Sequence, residues 1–363
     1  MKKQSIPTPA LLVDIDKLKD NIERMARKAR TAGVNLRPHF KSHKAPAIAH
    51  MQMKAGAVGI SVARLSEAEV LAAAGIDDIL VAYPIVGEDK VERLLNLDRL
   101  VKISTTVDTL EAAWALSQAA AAREQRIDVL VEVESGYKRC GVEPGESTLT
   151  FVREITGLSG LRFKGVMTMA GHIYRQPTRE SQFAVAREEA QLGANTAALL
   201  RQNGIEVEVI SAGSTAAAQF LGEVEGVTEY RPGFYVFNEV SIADLGMCTL
   251  AQIAVSVLAT VVSVPASDRF IIDAGRKTLS SVPASKTPGY GLFRDLPGVT
   301  VSWLCQEHGI VNPPVGVPMP SVGQKLEILP NCVADVVALR DEMYVVQGDE
   351  VIATWEIPAH SKR

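Results

Sequence analysis

The chain has 363 residues, of which 47% are hydrophobic and 22% are charged. This composition is typical of a globular protein, excludes disordered and collagen-like chains, and at this length favours two domains. The 38 lysines and arginines nearly balance 42 aspartates and glutamates, for a net charge of −4, so there is no electrostatic case for binding nucleic acid.

The cysteines and apolar segments predict a reduced, cytoplasmic protein. The chain has four cysteines without a CxxC pair or a disulfide-framework spacing: Cys140, Cys248, Cys305 and Cys332. The N-terminal segment MKKQSIPTPALLVDID reaches two prolines before a short apolar run, which is typical of neither a signal peptide nor a transit peptide. The longest apolar tract, residues 250–265, is interrupted by polar residues and is too short to span a membrane.

Residues 8–238 alternate between β-branched runs and segments with helical spacing. The strand-like runs lie at residues 36–41, 57–63, 78–83, 100–106, 127–134, 164–170, 206–212 and 227–230. The helix-like segments between them include 16–32, 65–75, 108–123 and 178–203. This alternation predicts an α/β fold, a (β/α)8 TIM barrel. A doubly wound open sheet is the alternative, although no GxGxxG motif follows the first strand.

Residues 239–363 predict a second, C-terminal all-β domain. Strand-like runs recur at residues 251–264, 269–275, 324–329, 343–346 and 350–357. Loops rich in Pro, Gly and Ser separate them, and no long amphipathic helix is evident. Residues 1–15 are a candidate segment to pack with this domain rather than with the barrel.

The segment LRPHFKSHK, at residues 36–44, carries the sharpest chemical signal. On a strand, alternate side chains share a face, so Arg37, His39 and Lys41 would point into the barrel. Lys41 would end the first strand, at the face where barrel enzymes keep their chemistry. A buried lysine of lowered pKa suits Schiff-base formation, because only the neutral amine attacks a carbonyl. The alternative is a structural lysine, and Lys44 is predicted to lie in solvent in the first turn of the next helix.

Two further segments lie on the same predicted face of the barrel. SAGST places Gly213, Ser214 and Thr215 between the seventh strand and a predicted helix at 215–221, where backbone N–H groups and hydroxyls can bind phosphate. The alternative is a plain helix N-cap. A phosphate loop and a lysine on the first strand together predict pyridoxal phosphate as cofactor. Arg139, in ESGYKRCGVEPG after the fifth strand, is a weaker signal because surface arginines are common.

In order along the chain, these segments resemble one family. The matching motifs are TPALLVDIDKLKDNI, LRPHFKSHK, SVARLSEAEVLAAAGIDDILVAYPIVG, GYKRCGV, SAGST, RPGFYVF, RFIIDAGRKTLS, QEHG, VGQKLEILPN and WEIPA. They are similar to the D-threonine aldolase / D-serine dehydratase-like family, fold-type III pyridoxal-phosphate enzymes with an alanine-racemase-like barrel. The resemblance implies that fold, that cofactor, a lyase acting on a β-hydroxy D-amino acid, and a homodimer.

The resemblance also implies roles for individual residues. Lys41 matches the Schiff-base lysine, and Arg139 matches the arginine that faces the pyridine nitrogen. A guanidinium there keeps its proton, so the pyridine stays unprotonated and is a weaker electron sink. The remaining cofactor-pocket residues are His39, His172, Tyr174, Gly213, Ser214, Thr215 and Tyr235. For His172 and Tyr174, in GHIYR after the sixth strand, ordinary loop residues are the alternative.

The chain departs from this family where its members bind a metal ion. The family's ligands come from a PNH-x-(Asp/Cys) segment, and the matching residues 330–335 read PNCVAD. Cys332 replaces the histidine, and Ala334, which cannot bind a metal, replaces the second ligand. Cys332, with Asp335 or His308, is the candidate ligand if any metal binds. The sequence therefore disfavours a divalent metal.

This departure bears on the type of reaction. Without a metal to polarise the substrate hydroxyl, loss of hydroxide is impaired more than carbon–carbon cleavage. We therefore expect retro-aldol cleavage to glycine and an aldehyde, ahead of dehydration to release ammonia. A racemase or epimerase is a further alternative, with Cys332, Tyr174 or His172 as the second acid or base besides Lys41. A non-catalytic pyridoxal-phosphate carrier is an alternative of a different class. Such a carrier would resemble the barrel alone, whereas this chain also matches the family's C-terminal motifs QEHG and WEIPA.

Overall fold

The computed structural model of the protein describes residues 1–359, which divide into two compact units. One unit comprises Met1–Glu23, Ser42–Ala47 and the chain from Phe234 onward, and the other comprises Arg24–Lys41 and Ile48–Gly233. No described helix is long and apolar enough to cross a membrane. The domain boundary between residues 238 and 239 stays a prediction, and residues 360–363 of the predicted C-terminal domain lie outside the described residues.

The chain begins with β1 (Ala10–Asp14) and α1 (Ile15–Ala32). Strands and helices then alternate as the sequence predicts: β2 (Asn35–Leu36), α2 (Pro46–Lys54), β3 (Ile60–Val62), α3 (Leu65–Ala73), β4 (Asp78–Pro84), α4 (Glu88–Asp98), β5 (Lys102–Val107), α5 (Leu110–Ala121), β6 (Ile127–Glu132), α6 (Glu146–Thr156), β7 (Leu161–Met167), α7 (Arg179–Gln202), β8 (Val209–Ala212) and β9 (Glu229–Tyr230). Short 3-10 turns lie at Lys3–Ser5, Phe40–Ser42, Gly171–Arg175, Ala217–Phe220, Phe234–Val236 and Leu250–Gln252.

Strands β2 to β9 form one parallel sheet that curls on itself. Its order is β2-β9-β8-β7-β6-β5-β4-β3, and every neighbouring pair is parallel. The edges are joined by hydrogen bonds from the Val58 N–H to the Leu36 carbonyl, at 2.9 Å, and from the Ser61 N–H to the Pro38 carbonyl, at 2.8 Å. The predicted (β/α)8 barrel is confirmed.

The first barrel strand is shorter than the sequence pattern predicts. β2 ends two residues before Pro38, which has no N–H for the ladder, and the His39 N–H donates to the Pro232 carbonyl instead. The prediction that Lys41 ends a strand was therefore wrong, because Lys41 lies in the 3-10 turn Phe40–Ser42.

Two neighbouring expectations were also wrong. Lys44 is buried, has a φ of +52°, and its Nζ donates to the Ala359 carbonyl at 3.3 Å. It lies outside α2 because that helix begins at Pro46, whose ring suits a first helical position. The helix expected at 215–221 is only the 3-10 turn Ala217–Phe220, which ends before Gly222 turns the chain at a φ of +87°.

The unit that contains the N-terminus is mostly β-sheet. Its further elements are α8 (Val240–Asp244), β10 (Val255–Ala266), β11 (Arg269–Ile272), α9 (Arg276–Leu279), β12 (Leu292–Phe293), β13 (Trp303–Leu304), β14 (Gly309–Val311), β15 (Lys325–Leu329), α10 (Val333–Ala338), β16 (Glu342–Gln347) and β17 (Glu350–Glu356). The main order is β13-β14-β11-β10-β1-β16-β17, with β15 on β10 and β12 on β15. The domain predicted to be all-β is therefore mostly β-sheet, with three short helices that the sequence pattern did not predict.

Each unit has its own apolar core. In the barrel, Leu80, Leu130 and Met167 from β4, β6 and β7 pack together and are buried. In the sheet unit, the core cluster contains Ile6, Ala10, Leu12, Leu258 and Val346. Burial of a large aliphatic side chain stabilises a fold by about 1.5–3 kcal/mol. The N-terminal segment is therefore an integral part of the sheet unit, in which β1 pairs with β10 and β16.

Candidate active site

Lys41 lies at the C-terminal mouth of the barrel, in the turn that follows β2. Its pKa is lowered, mainly by burial and then by the positive charge of Arg139. Arg231 acts in the same direction, whereas the carboxylate of Glu67 opposes it. The N–H of Lys41 also donates to His39 Nδ1 at 3.4 Å, so His39 supports the turn. A lysine that loses its proton readily can act as a nucleophile or a base.

Arg139 follows β6 and is held from two sides. Its Nη2 donates to Glu132 Oε1 at 3.2 Å, and its guanidinium lies 5.6 Å from the centre of the Tyr137 ring. Glu132 is the buried last residue of β6, and burial raises its pKa even though the charge of Arg139 opposes the change. The positive charge of this half-exposed guanidinium is near enough to Lys41 to lower the pKa of that lysine.

The loops after β6, β7 and β8 touch one another. A Cβ on Gly136, which has a φ of +93°, would lie 3.1 Å from His172 Cε1, so only glycine allows the ring to pack there. His172 Nδ1 is buried and has no hydrogen-bond partner within residues 1–359. Tyr174 Oη accepts the Ala216 N–H at 3.4 Å. Arg139, His172, Tyr174 and the predicted phosphate loop therefore belong to one contiguous loop cluster.

The predicted phosphate loop has a fixed conformation. Gly213 has a φ of +89°, and a Cβ there would lie 2.6 Å from the Tyr230 ring, so the position requires glycine. Ser214 Oγ accepts the Ala217 N–H at 3.2 Å, although the N-cap of the 3-10 turn that follows is Ala216. Thr215 Oγ1 accepts a backbone N–H from the RPGFYVF segment at 3.1 Å. Both hydroxyls thus shape the loop.

Sequence reasoning missed two buried charges behind these loops. Arg231 donates to the Ser211 hydroxyl and to the Thr168 carbonyl, both at 2.6 Å. Glu189, on α7, accepts backbone N–H groups from the loops after β7 and β8. Arg231 stands in the recognised RPGFYVF motif, and Glu189 is a carboxylate on the buried face of a helix. Helical periodicity could therefore have singled out Glu189.

Two predicted site residues, Tyr235 and Cys332, lie in the sheet unit. Tyr235 is buried in the turn Phe234–Val236. Cys332 immediately precedes α10, and its pKa is raised to about 12, first by burial and then by the charge of Glu239. Glu239 accepts the Val333 N–H at 2.7 Å, and burial raises its pKa to about 8. The thiol therefore holds its proton at neutral pH.

The residues at 330–335 do not fit a divalent metal. Ala334 has no donor atom, so Cys332 is the one residue at the family's two ligand positions that could bind a metal. In the described part of the chain, no group of three or more His, Cys, Asp and Glu side chains is placed to hold a metal ion.

The barrel residues do fit pyridoxal phosphate. Lys41 offers an amine of lowered pKa, and Arg139 offers a guanidinium. His172 supplies a buried ring nitrogen that no described group satisfies, and the loop from Gly213 to Thr215 supplies small polar groups. These donors correspond to the aldehyde, the ring and the phosphate of the cofactor. Their individual roles stay predictions.

Comparisons with known proteins agree with this architecture. The family model "Alanine racemase, N-terminal domain" matches residues 13–239, and "Putative serine dehydratase domain" matches residues 254–346. A D-threonine aldolase from Arthrobacter sp is 36% identical over 98% of this chain and 93% of its own. A D-threo-3-hydroxyaspartate dehydratase from Delftia sp. (strain HT23) is 32% identical over 97% of each chain. The crystal structure of a D-threonine aldolase from Filomicrobium marinum has a TM-score of 0.92 and 33% identity, over 98% and 96% of the two chains.

Barrel and sheet unit together define an alanine-racemase-like architecture with a serine-dehydratase-like domain. Within that class, the chain belongs to the D-threonine aldolase / D-serine dehydratase-like family, which confirms the resemblance inferred from the motifs.

Proposed function

We propose that the protein is a pyridoxal-phosphate-dependent lyase that cleaves a β-hydroxy D-amino acid into glycine and an aldehyde. The observation that carries the proposal is the amine of Lys41, whose pKa is lowered by burial and by Arg139 at the mouth of the barrel. The names of the relatives, D-threonine aldolase and D-threo-3-hydroxyaspartate dehydratase, support the substrate class.

Each barrel residue has a binding role in this proposal. When bound, pyridoxal phosphate supplies an electron sink for the negative charge that develops at Cα. Lys41 Nζ would hold the cofactor covalently, and Arg139 would donate to its ring nitrogen. The phosphate group is held by the polar groups of the loop from Gly213 to Thr215. His39 and Tyr174 are the other barrel residues proposed for the pocket, and Tyr235 of the sheet unit is a further candidate.

Three residues would handle protons. The β-hydroxyl must lose its proton as the Cα–Cβ bond breaks, and His172 Nδ1, which is buried without a described partner, is suited to accept it. Cα must then gain a proton to give glycine. The Cys332 thiol holds its proton at neutral pH and can donate it, while Lys41 Nζ is the alternative source.

A racemase or epimerase is the second candidate. It needs one group that gives a proton to Cα and one that takes it away, for which Lys41 and one of Cys332, Tyr174 and His172 are the candidates. A D-serine dehydratase-like ammonia-lyase is a further candidate, which the relatives named as dehydratases support. Ala334, which has no donor atom for a metal that would help hydroxide leave, weighs against it.

Product analysis separates these reactions. The protein is incubated with pyridoxal phosphate and, in separate reactions, D-threonine, D-serine and D-alanine, with L-threonine as the stereochemical control. We expect acetaldehyde and glycine from D-threonine only. Keto acid from D-serine would favour the dehydratase, and L-alanine from D-alanine would favour the racemase. If no substrate reacts, even with added divalent metals, the lyase proposal fails.

We further propose a cytoplasmic homodimer in which residues 8–238 form the cofactor domain and 239–363 the C-terminal domain. None of the four cysteines forms a disulfide within the described residues, which supports a reducing compartment. Light scattering of the purified protein tests the oligomeric state, for which a mass of twice 39.0 kDa is expected.

A further inference from the structure

A buried carboxylate without a place in the proposed chemistry lies behind the loops of the candidate site. Glu189 is in the middle of α7 and is 2% exposed, on the helix face that also buries Val185 and Gly193. Its pKa is raised because burial outweighs its hydrogen bonds and its attraction to Arg231. Since an isolated buried carboxylate is costly, the groups that it contacts should explain its presence.

One oxygen of Glu189 accepts two backbone N–H groups. Its Oε1 lies 2.9 Å from Ala170 N and 3.2 Å from Gly213 N. Ala170 precedes the turn that carries His172 and Tyr174, and Gly213 begins the predicted phosphate loop. Because these two loops follow the neighbouring strands β7 and β8, the single oxygen fixes the start of one loop relative to the other.

The same network includes the ends of both strands. The hydroxyl of Thr168, just after β7, lowers the pKa of Glu189 and so partly offsets the effect of burial. Arg231 donates to the Thr168 carbonyl and to the hydroxyl of Ser211 in β8, both at 2.6 Å, and its charge partly compensates Glu189. The carboxylate is therefore held in place by groups from both strands and can hold the loops in turn.

The phosphate loop is confined from a second side. A Cβ on Gly213 would lie 2.6 Å from Cδ1 of Tyr230, so the ring blocks movement in that direction. Gly213 thus lies between the Glu189 carboxylate and the Tyr230 ring. If the Gly213 N–H lost the carboxylate, the loop would lose this hydrogen bond, and the apolar edge of the ring could not replace it.

We propose that Glu189 is a positioning residue that sets the His172–Tyr174 turn and the Gly213–Thr215 loop in the geometry that binds the cofactor. This inference rests on the proposed function, because it takes both loops as parts of a pyridoxal-phosphate site. The position of one acceptor oxygen is the required property, and the negative charge is not.

Three variants separate position from charge. E189Q keeps an acceptor oxygen at the same reach and loses the charge. E189D keeps the charge but is one methylene shorter, so it cannot reach both N–H groups. E189A loses both properties, and E188A, at the exposed neighbouring position, is the matched control. The measurements are the affinity of the apo full-length chain for pyridoxal phosphate, by absorbance titration, and its Tm.

We expect E189Q and E188A to bind pyridoxal phosphate within about threefold of wild type. E189D and E189A should bind at least about tenfold more weakly, because an unmade buried hydrogen bond costs about a factor of ten or more in affinity. If E189A does not fold, the comparison of E189Q with E189D still shows whether the position of the acceptor oxygen or the negative charge is required.

Two results would overturn the inference while leaving the proposed function intact. In the first, E189D has a lower Tm but wild-type affinity, which is the behaviour of a residue that only stabilises the fold. In the second, E189Q loses affinity and E189D keeps it, so that charge rather than position matters. If wild type itself does not bind pyridoxal phosphate, the proposed function fails and the inference fails with it.

Discussion

Two basic residues of the segment LRPHFKSHK have opposite electrostatic surroundings. Arg37 donates to Glu229 Oε2 at 2.8 Å and to Asp78 Oδ1 at 2.5 Å, and Lys102 adds a further bond to Asp78 at 2.7 Å. Burial alone would lower the pKa of Arg37, but the two carboxylates outweigh burial and raise it. Arg37 is therefore a cation whose charge the fold satisfies.

Lys41, four residues later, has mostly like charges around it. Its pKa is lowered by burial, by Arg139 and by Arg231, and only Glu67 opposes them. A protonated Lys41 therefore costs stability, whereas the charge of Arg37 contributes to it. A buried cation that carboxylates pair is therefore a candidate for a structural role. A buried cation that lies among other cations is a candidate for a catalytic role.

The largest expected effect is that of Lys41→Ala. Activity should fall at least about a thousandfold and the visible absorbance of the bound cofactor should disappear, because no other group replaces the amine. The apo protein should be no less stable at pH 7, since a cation among cations is removed. Enzyme assays and urea unfolding check both, with Lys138→Ala, an exposed neighbour of Arg139, as control.

Arg37→Leu, unlike Lys41→Ala, should lower the stability of the apo protein. Two carboxylates, Glu229 and Asp78, would lose their partner, which costs about 3–5 kcal/mol when a buried pair is broken. Urea unfolding of the apo protein measures this loss. Arg179→Ala, which breaks an exposed pair with Glu223, should cost about 1 kcal/mol or less. An Arg37 variant of wild-type stability would remove the contrast with Lys41.

Cys332 extends the comparison to a buried acid. Cys332→Ala should lower turnover about a hundredfold, because a proton donor is lost. Treatment with a chelator should leave turnover unchanged, since residues 330–335 do not fit a metal. Cys305→Ala, at an exposed cysteine, is the control and should leave turnover unchanged. Strong inhibition by the chelator, reversed by zinc, would show that Cys332 is a metal ligand instead.

The smallest expected effect is a shift in pH dependence. The rate at which apo protein captures pyridoxal phosphate should rise with pH and level off above the pKa of Lys41, which lies below that of an ordinary lysine. Arg139→Ala removes a charge that lowers this pKa, so the profile should move to higher pH. Glu67→Gln removes a charge that raises it, so the profile should move to lower pH. Equal profiles in all three proteins would mean that Lys41 does not sense these charges.

The sequence allowed the repeated elements to be predicted, and the loop motifs with them. The alternation of β-branched and helical segments indicates which faces are buried. The positions of the eight barrel strands could therefore be predicted from it. The early end of β2 could have been read from Pro38, which cannot donate to the ladder. The buried position of Lys44 depends on the distant Ala359 carbonyl, which no local pattern reports.

Polar partners were the main part of the site that the sequence did not reveal. Periodicity places Glu189 on the buried face of α7, but its bonds to Ala170 and Gly213 arise from loops that only the fold brings together. Arg231 is similar, because its acceptors are Ser211 and Thr168 on two different strands or their ends. The motif around Lys41 was specific enough to be recognised without knowledge of Glu189 or Arg231.

The most direct test of the central claim is to locate the cofactor on the chain. Wild-type protein is loaded with pyridoxal phosphate, reduced with borohydride to fix the cofactor covalently, digested and analysed by mass spectrometry. The modification is expected on Lys41. Stoichiometric modification of Lys44 or Lys138 instead, or no modification of protein that is otherwise folded, would contradict it.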